Sequence, residues 1–170
     1  MKTLIFPLIV LLLMEVNLVA GSLSDLDIKN GFRNVKFGND FSSFKNLKLI
    51  EKDQIYKIYL KTNEDLKMGE YQLNKIAYFF HKNKLAIIMI EIKGYSNSRG
   101  FLDLLKIAYG DGWQPNQYIE TYYWDGSIVH MTYDENSITH NSTIFIKSNE
   151  LKRIADAEKQ SIDQKTSEGL

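Results

Sequence analysis

Three histidines, His81, His130 and His140, are the side chains of this 170-residue chain best suited to proton transfer or metal ligation near neutral pH. His130 and His140 bracket Asp134 and Glu135, so these four could meet across a loop as a base with its carboxylate, or as metal ligands. No HxH, HExxH or CxxC spacing supports the second use, and His81 falls at a loop tip where solvation accounts for it. Nucleophilic catalysis needs a serine held by a base. Ser96, Ser98, Ser127 and Ser142 all sit in capping or turn contexts, and there is no G-x-S-x-G elbow. A carboxylate pair could be drawn from Glu120, Asp125 and Asp134, but nothing selects two of them. The glycine pairs Gly31/Gly38 and Gly110/Gly112 lack phosphate-loop spacing. No catalytic residue, metal or cofactor is assigned; a small hydrolase or metal-dependent enzyme around His130, Asp134 and His140 stands as the alternative reading.

The chain carries 21 basic and 21 acidic residues and no cysteine. Without a basic excess, nucleic acid is set aside as a partner. Residues 1–20 have the parts of a cleavable secretory leader: Lys2, an apolar run from Leu4 to Met14, then Ala20, Gly21 and Ser22 as small residues for a cut. The run is too short to span a bilayer, and no cysteine is available to carry a lipid, so no stable membrane anchor is expected. Export, to the periplasm or the cell exterior, then requires stability without disulfides.

Apolar and polar periodicity organises the remainder as a flexible lead-in over 21–30, a single α+β domain over 31–160 and a disordered tail over 161–170. Asn39 or Asp40 should cap a short helix through Phe41, Phe44 and Leu47. Strand patterns cover 54–61, 73–80 and 85–93, the last two forming a hairpin in which Tyr78 opposes Ile87 and Ile76 opposes Met89. Both faces of that hairpin are apolar, which predicts a central place in the sheet or self-association through 73–92. A helix over 96–108 follows, with Phe101, Leu104, Leu105 and Ala108 as its stripe. Asp125-Gly126 then joins strands 117–124 and 127–134 as a two-residue turn, 143–147 is a last strand, and Ser148 caps a C-terminal helix to about 160.

The expected architecture is an antiparallel sheet of about six strands with helices on one face, and the element order reads as an αβββ unit used twice. The two-residue turn places Trp124, Tyr122, Tyr118, Val129, Met131 and Tyr133 under the helices, with Glu120 awkward among them. The opposite surface gathers Thr121, Tyr123, Ile128 and His130, with Tyr123 opposite Ile128. These four are the candidate binding residues.

The segments GFRNVKFGNDFSSFKNLKL, NEDLKMGEYQLNKIAYFFHKNKLAIIMIEIKG and LKIAYGDGWQPNQYIETYYWDGSIVHMTYDENSITHNSTIFI resemble small exported proteins of Gram-negative bacteria with no assigned function. In fold alone, a helix followed by three strands is similar to BamE/SmpA-type assembly lipoproteins and to β-lactamase-inhibitor-type modules, which bind through a sheet face. The resemblance implies an exported binding module for a protein or envelope component.

Overall fold

The computed structural model describes residues 21–169; the expected leader lies outside the described residues. The segment read as a flexible lead-in is helix α1 (Leu23–Lys29), opened by Ser22, whose backbone N–H and hydroxyl both donate to the Asp25 carboxylate, and closed by Asn30 in the left-handed conformation. Its short length would not sustain a helix alone. Leu26, 1 % exposed in the core, holds it, and burying such a side chain contributes about 1.5–3 kcal/mol.

A small ladder of β1 (Gly31–Phe32) and β2 (Val35–Lys36) follows. Asp40 does cap a turn, by accepting from the Ser42 N–H, but the turn is only Phe41–Ser43 and Leu47 already opens a strand. Strands β3 (Leu47–Lys52), β4 (Lys57–Lys61), β5 (Lys67–Met68), β6 (Tyr71–His81) and β7 (Lys84–Ile92) lead to helix α2 (Tyr95–Tyr109). Strands β8 (Thr121–Asp125), β9 (Val129–Glu135) and β10 (Ser142–Ser148) complete the sheet, and helix α3 (Asn149–Glu168), capped by Ser148, runs through most of the segment expected to be disordered. None of these helices is long and apolar enough to cross a membrane.

The protein is thus α+β with an antiparallel sheet of eight strands rather than six, ordered β3-β4-β6-β7-β10-β9-β8, with β5 paired to β6. Meanders β3-β4-β6-β7 and β8-β9-β10 join through their last strands, and a helix, α1 or α2, comes ahead of each in the chain. The helix of the first unit is α1, upstream of the position expected for it. Helices α1 and α2 share one face, where Leu26, Phe101, Leu102 and Leu105 pack with Ile76, Tyr78, Ile90, Tyr122, Trp124, Met131 and Ile144. Helix α3 crosses the opposite face, with Ala155 buried and Glu158 against His81.

The β6–β7 hairpin is central, as its two apolar faces require. Its register departs from the simple one: Phe80 opposes Leu85, but Phe79 opposes Ile87 and Tyr78 opposes Ile88. Ala86 is the extra residue of a β-bulge, and Asn74 is a second one at the far end, where Leu73 meets Ile92 and Lys75 meets Glu91. The bulge lets Leu85 and Ile88 both enter the core while Ile87 and Met89 turn to the other face. Ala77, Ala86 and Ile87 are buried within the chain, so the apolar surface that prompted self-association through 73–92 is largely covered.

The β8–β9 turn also falls further along the chain than Asp125-Gly126: the Gly126 N–H donates to the Val129 carbonyl at 3.0 Å, which puts Ser127 and Ile128 at the apex. Asp125 opposes His130, Trp124 opposes Met131 and Tyr123 opposes Thr132. The cause is Asp27 of α1. Its carboxylate accepts the backbone N–H groups of Ser127, Ile128 and Val129 at 2.7, 2.8 and 2.9 Å. A side chain at Gly126 would start 2.3 Å from Asp27 Oδ1, so glycine serves this close approach. Relative to the expected pairing, each residue meets a partner four positions further on. An even displacement leaves every side chain on its own face.

Hydrogen bonds to a charged acceptor are individually worth about 1.5–3 kcal/mol, less where water competes. Asp27→Ala should therefore lower unfolding free energy by about 1–3 kcal/mol in urea titrations, with Asp27→Asn losing less. An unchanged midpoint for Asp27→Ala would show that the loop holds its shape unaided.

Candidate functional site

Helix α3 covers only part of its face of the sheet. Across β8, β9 and β10, the residues on that face form three rows fixed by register: Thr121, Asp134 and Thr143; then Tyr123, Thr132 and Phe145; then Asp125, His130 and Lys147. Alternate residues on one strand lie about 6.6 Å apart. The first two rows are the floor of a shallow open depression rimmed by Asn136 and Asn141.

Trp113 closes the outer edge. Its N–H donates to the Tyr123 carbonyl at 2.8 Å and its carbonyl accepts from the Tyr123 N–H at 2.9 Å, so the edge strand is paired there. The two rings lie 5.6 Å apart at 41°, and Trp113 remains 63 % exposed. On the other side of the sheet, Trp124 is fully buried and donates its indole N–H to the Gly110 carbonyl at 2.8 Å. Gly112, at φ +73°, passes so close that a Cβ there would sit 2.8 Å from the Trp124 ring. One tryptophan thus steers the chain leaving α2 so that the other lands beside Tyr123.

The third row borders α3 and forms a groove lined by Asp125, His130, Lys147, Asn149, Lys152, Arg153 and Asp156, among others. His130 Nδ1 is 2.5 Å from Asp125 Oδ1, and Lys152 pairs with Asp156. Lys147 stands over the Phe145 ring at 5.1 Å. Burial, then the neighbouring Lys152 charge, hold its amine below the ordinary lysine value, with Asp156 pulling the other way.

Of the four candidate binding residues, Thr121, Tyr123 and His130 share this surface, and the Tyr123 and His130 rings are 6.2 Å apart. Ile128 does not join them. The clamp by Asp27 places it in the loop, 50 % exposed, in a separate depression with Phe37, Gly38 and Leu151. Thr132 takes the position opposite Tyr123 that Ile128 was expected to hold. Tyr118, expected inward, is 84 % exposed ahead of β8.

The alternative acid–base group is not assembled. Asp134 is four residues from His130 on one strand, about 13 Å away. His140 belongs to the helix-side network, its Nδ1 3.0 Å from Glu135 Oε1. His81 is not solvated at a tip but 3 % exposed, with Nδ1 3.1 Å from the Ile55 carbonyl oxygen and Nε2 3.4 Å from Glu158. Among the described residues, no three His, Cys, Asp or Glu side chains are placed to hold a metal ion.

The helix side carries a polar cluster that sequence reasoning missed. Arg99 of α2 reaches Glu120 Oε2 at 2.8 Å through NH1 and Glu135 Oε2 at 3.0 Å through Nε. The Tyr133 hydroxyl donates to Glu135 at 2.7 Å and the Tyr122 hydroxyl to Glu120 at 3.0 Å. Burial, and then the carboxylate each hydroxyl serves, push both tyrosines up. Burial would also raise Glu120, but hydrogen bonds from Arg99 and Tyr122 and the charges of Arg99 and Lys106 outweigh it, so its carboxyl sits below the ordinary value. The awkward position of Glu120 in an otherwise apolar set was the signal that a cation had to meet it, and Arg99 does so with both side chains partly exposed.

Compared with known proteins, the chain matches no family model, no curated protein and no solved structure.

A depressed folded-state value means Glu120 contributes stability that is fully present above the ordinary carboxylate value of 4.5 and is lost as pH falls through the folded value. Melting temperatures measured from neutral to acid pH should show this acid limb in the wild type and a shallower one in Glu120→Gln. Parallel curves would remove Glu120 from the cause.

Proposed function

We propose that this protein is an exported binding module that captures a protein of the cell envelope or exterior through the open half of its sheet, with Trp113, Tyr123, Thr121, Thr132 and Phe145 as the contact surface and His130 at its margin. The observation that carries this reading is the exposed Trp113 ring against Tyr123 on a sheet face that α3 leaves uncovered. Tryptophan and tyrosine are the residues most enriched at the energetic centres of protein interfaces. Rigid aromatic groups on paired backbone lose little entropy on binding, and a threonine floor accepts polar contacts from many partners. Export rests on the apolar run Leu4–Met14 and the small residues after it, and on the resemblance to exported Gram-negative proteins.

The hydrolase or metal-enzyme reading has no comparable support. His140 faces Glu135, but Arg99 and Tyr133 already occupy that carboxylate, and the nearby Ser98 hydroxyl donates to the His140 carbonyl rather than to its ring.

Crosslinking in the native envelope with wild type and Trp113→Ala/Tyr123→Ser tests the proposal. The double variant should lose a specific crosslinked species by about tenfold or more, the scale of two interface anchors, while its melting temperature stays close to wild type. Leu49→Ser on the remote edge strand β3 is the control. Retention of the species by the aromatic double variant would overturn the open-face reading.

A further inference from the structure

The groove between α3 and the third row of the sheet has a charge imbalance that the fold does not resolve. Its cations are Lys147, Lys152 and Arg153; its acids are Asp125 and Asp156. Both acids are engaged, Asp156 by Lys152 and Asp125 by His130. Among the described residues, Lys147 Nζ and the Arg153 guanidinium have no hydrogen-bond or ion-pair partner. Lys147 is moreover half-buried on the groove floor, between His130 and Ile87 in register. A cation withdrawn from water without a counter-ion is costly, and a lysine that served only solubility would extend into solvent.

We propose that this groove seats an acidic side chain of the protein partner, its carboxylate held between Lys147 and Arg153. The proposal rests on the open-face reading for its partner, because the groove adjoins that surface through His130 and Phe145. An aspartate or glutamate flanking the segment that lies on Tyr123 and Trp113 reaches the groove without leaving the sheet. Charge complementarity of this kind sets orientation and association rate.

The test is an amide NMR titration of the folded chain at low salt with hexaglutamate, hexaglutamine and inorganic phosphate as probes. Hexaglutamate should give saturable shifts at Lys147, Asn149 and Arg153, and hexaglutamine none. Lys147→Gln and Arg153→Gln should each weaken hexaglutamate binding about tenfold, Lys147→Arg should restore most of it, and Lys159→Gln, on another side of α3, should leave it unchanged. Arg153 is exposed, so its variant keeps the test valid if Lys147→Gln fails to fold. Non-saturable shifts, or equal weakening by Lys159→Gln, would overturn the site. Saturation by phosphate with hexaglutamate inert would overturn its assignment to an acidic protein segment. Trp113→Ala/Tyr123→Ser should retain hexaglutamate binding, so failure of the aromatic surface and failure of the groove are read separately.

Discussion

The Asp27 carboxylate is the constraint on which the arrangement turns. A sheet face becomes a site only if register and turn geometry put the right side chains on it, and the β8–β9 hairpin takes its register from a residue about a hundred positions earlier. Three N–H groups at a loop apex would otherwise point to water. Gathered on one carboxylate, they fix the loop's shape, and the loop sets which residues oppose each other below it. Helix α1, too short to persist alone, is held in turn by Leu26 in the core and by this same contact. Helix and hairpin thus stabilise each other.

The two sides of the sheet meet different physical demands. Beneath α1 and α2, the polar groups that cannot avoid burial are matched: Glu135 accepts from Arg99 and Tyr133, and Glu120 from Arg99 and Tyr122. Each member of such a cluster that is paired adds to its stability. The opposite side is divided. Over β6, β7 and part of β10, α3 supplies cover; over most of β8 and β9 it does not, and among the described residues the side chains on that face are mainly threonines, aspartates, a tyrosine flanked by Trp113, and a histidine that water tolerates. The boundary between covered and open regions is where Lys147 and His130 lie.

Much of this was legible in the sequence, for identifiable reasons. Alternation along 121–134 sorted Trp124, Tyr122, Val129 and Met131 inward and Thr121, Tyr123 and His130 outward, and this sorting held because the register error was even. The central hairpin was legible from its two apolar faces, although the bulge at Ala86 was not, since nothing in a run of isoleucines marks an extra residue. Helix α1 was missed because Leu26 is its sole buried residue and its anchor is tertiary. The side taken by α3 was equally hidden, for a helix that buries little beyond Ala155 has almost no apolar stripe to read. Ile128 was misplaced by the Asp125-Gly126 pair, which signals a tight turn locally but here makes room for Asp27. Arg99 gave no local signal at all; only the charge stranded at Glu120 pointed towards it.

The seam between the two meanders bears on how the chain survives its own synthesis. Strand β7 is among the most apolar segments of the described chain, and its permanent neighbour on one side, β10, follows only after α2, β8 and β9 have been made. Throughout that interval an isoleucine-rich edge has open backbone groups, the kind of template on which chains aggregate. Finished, the strand is paired on both sides and largely buried; nascent, it is the same apolar run with one side open.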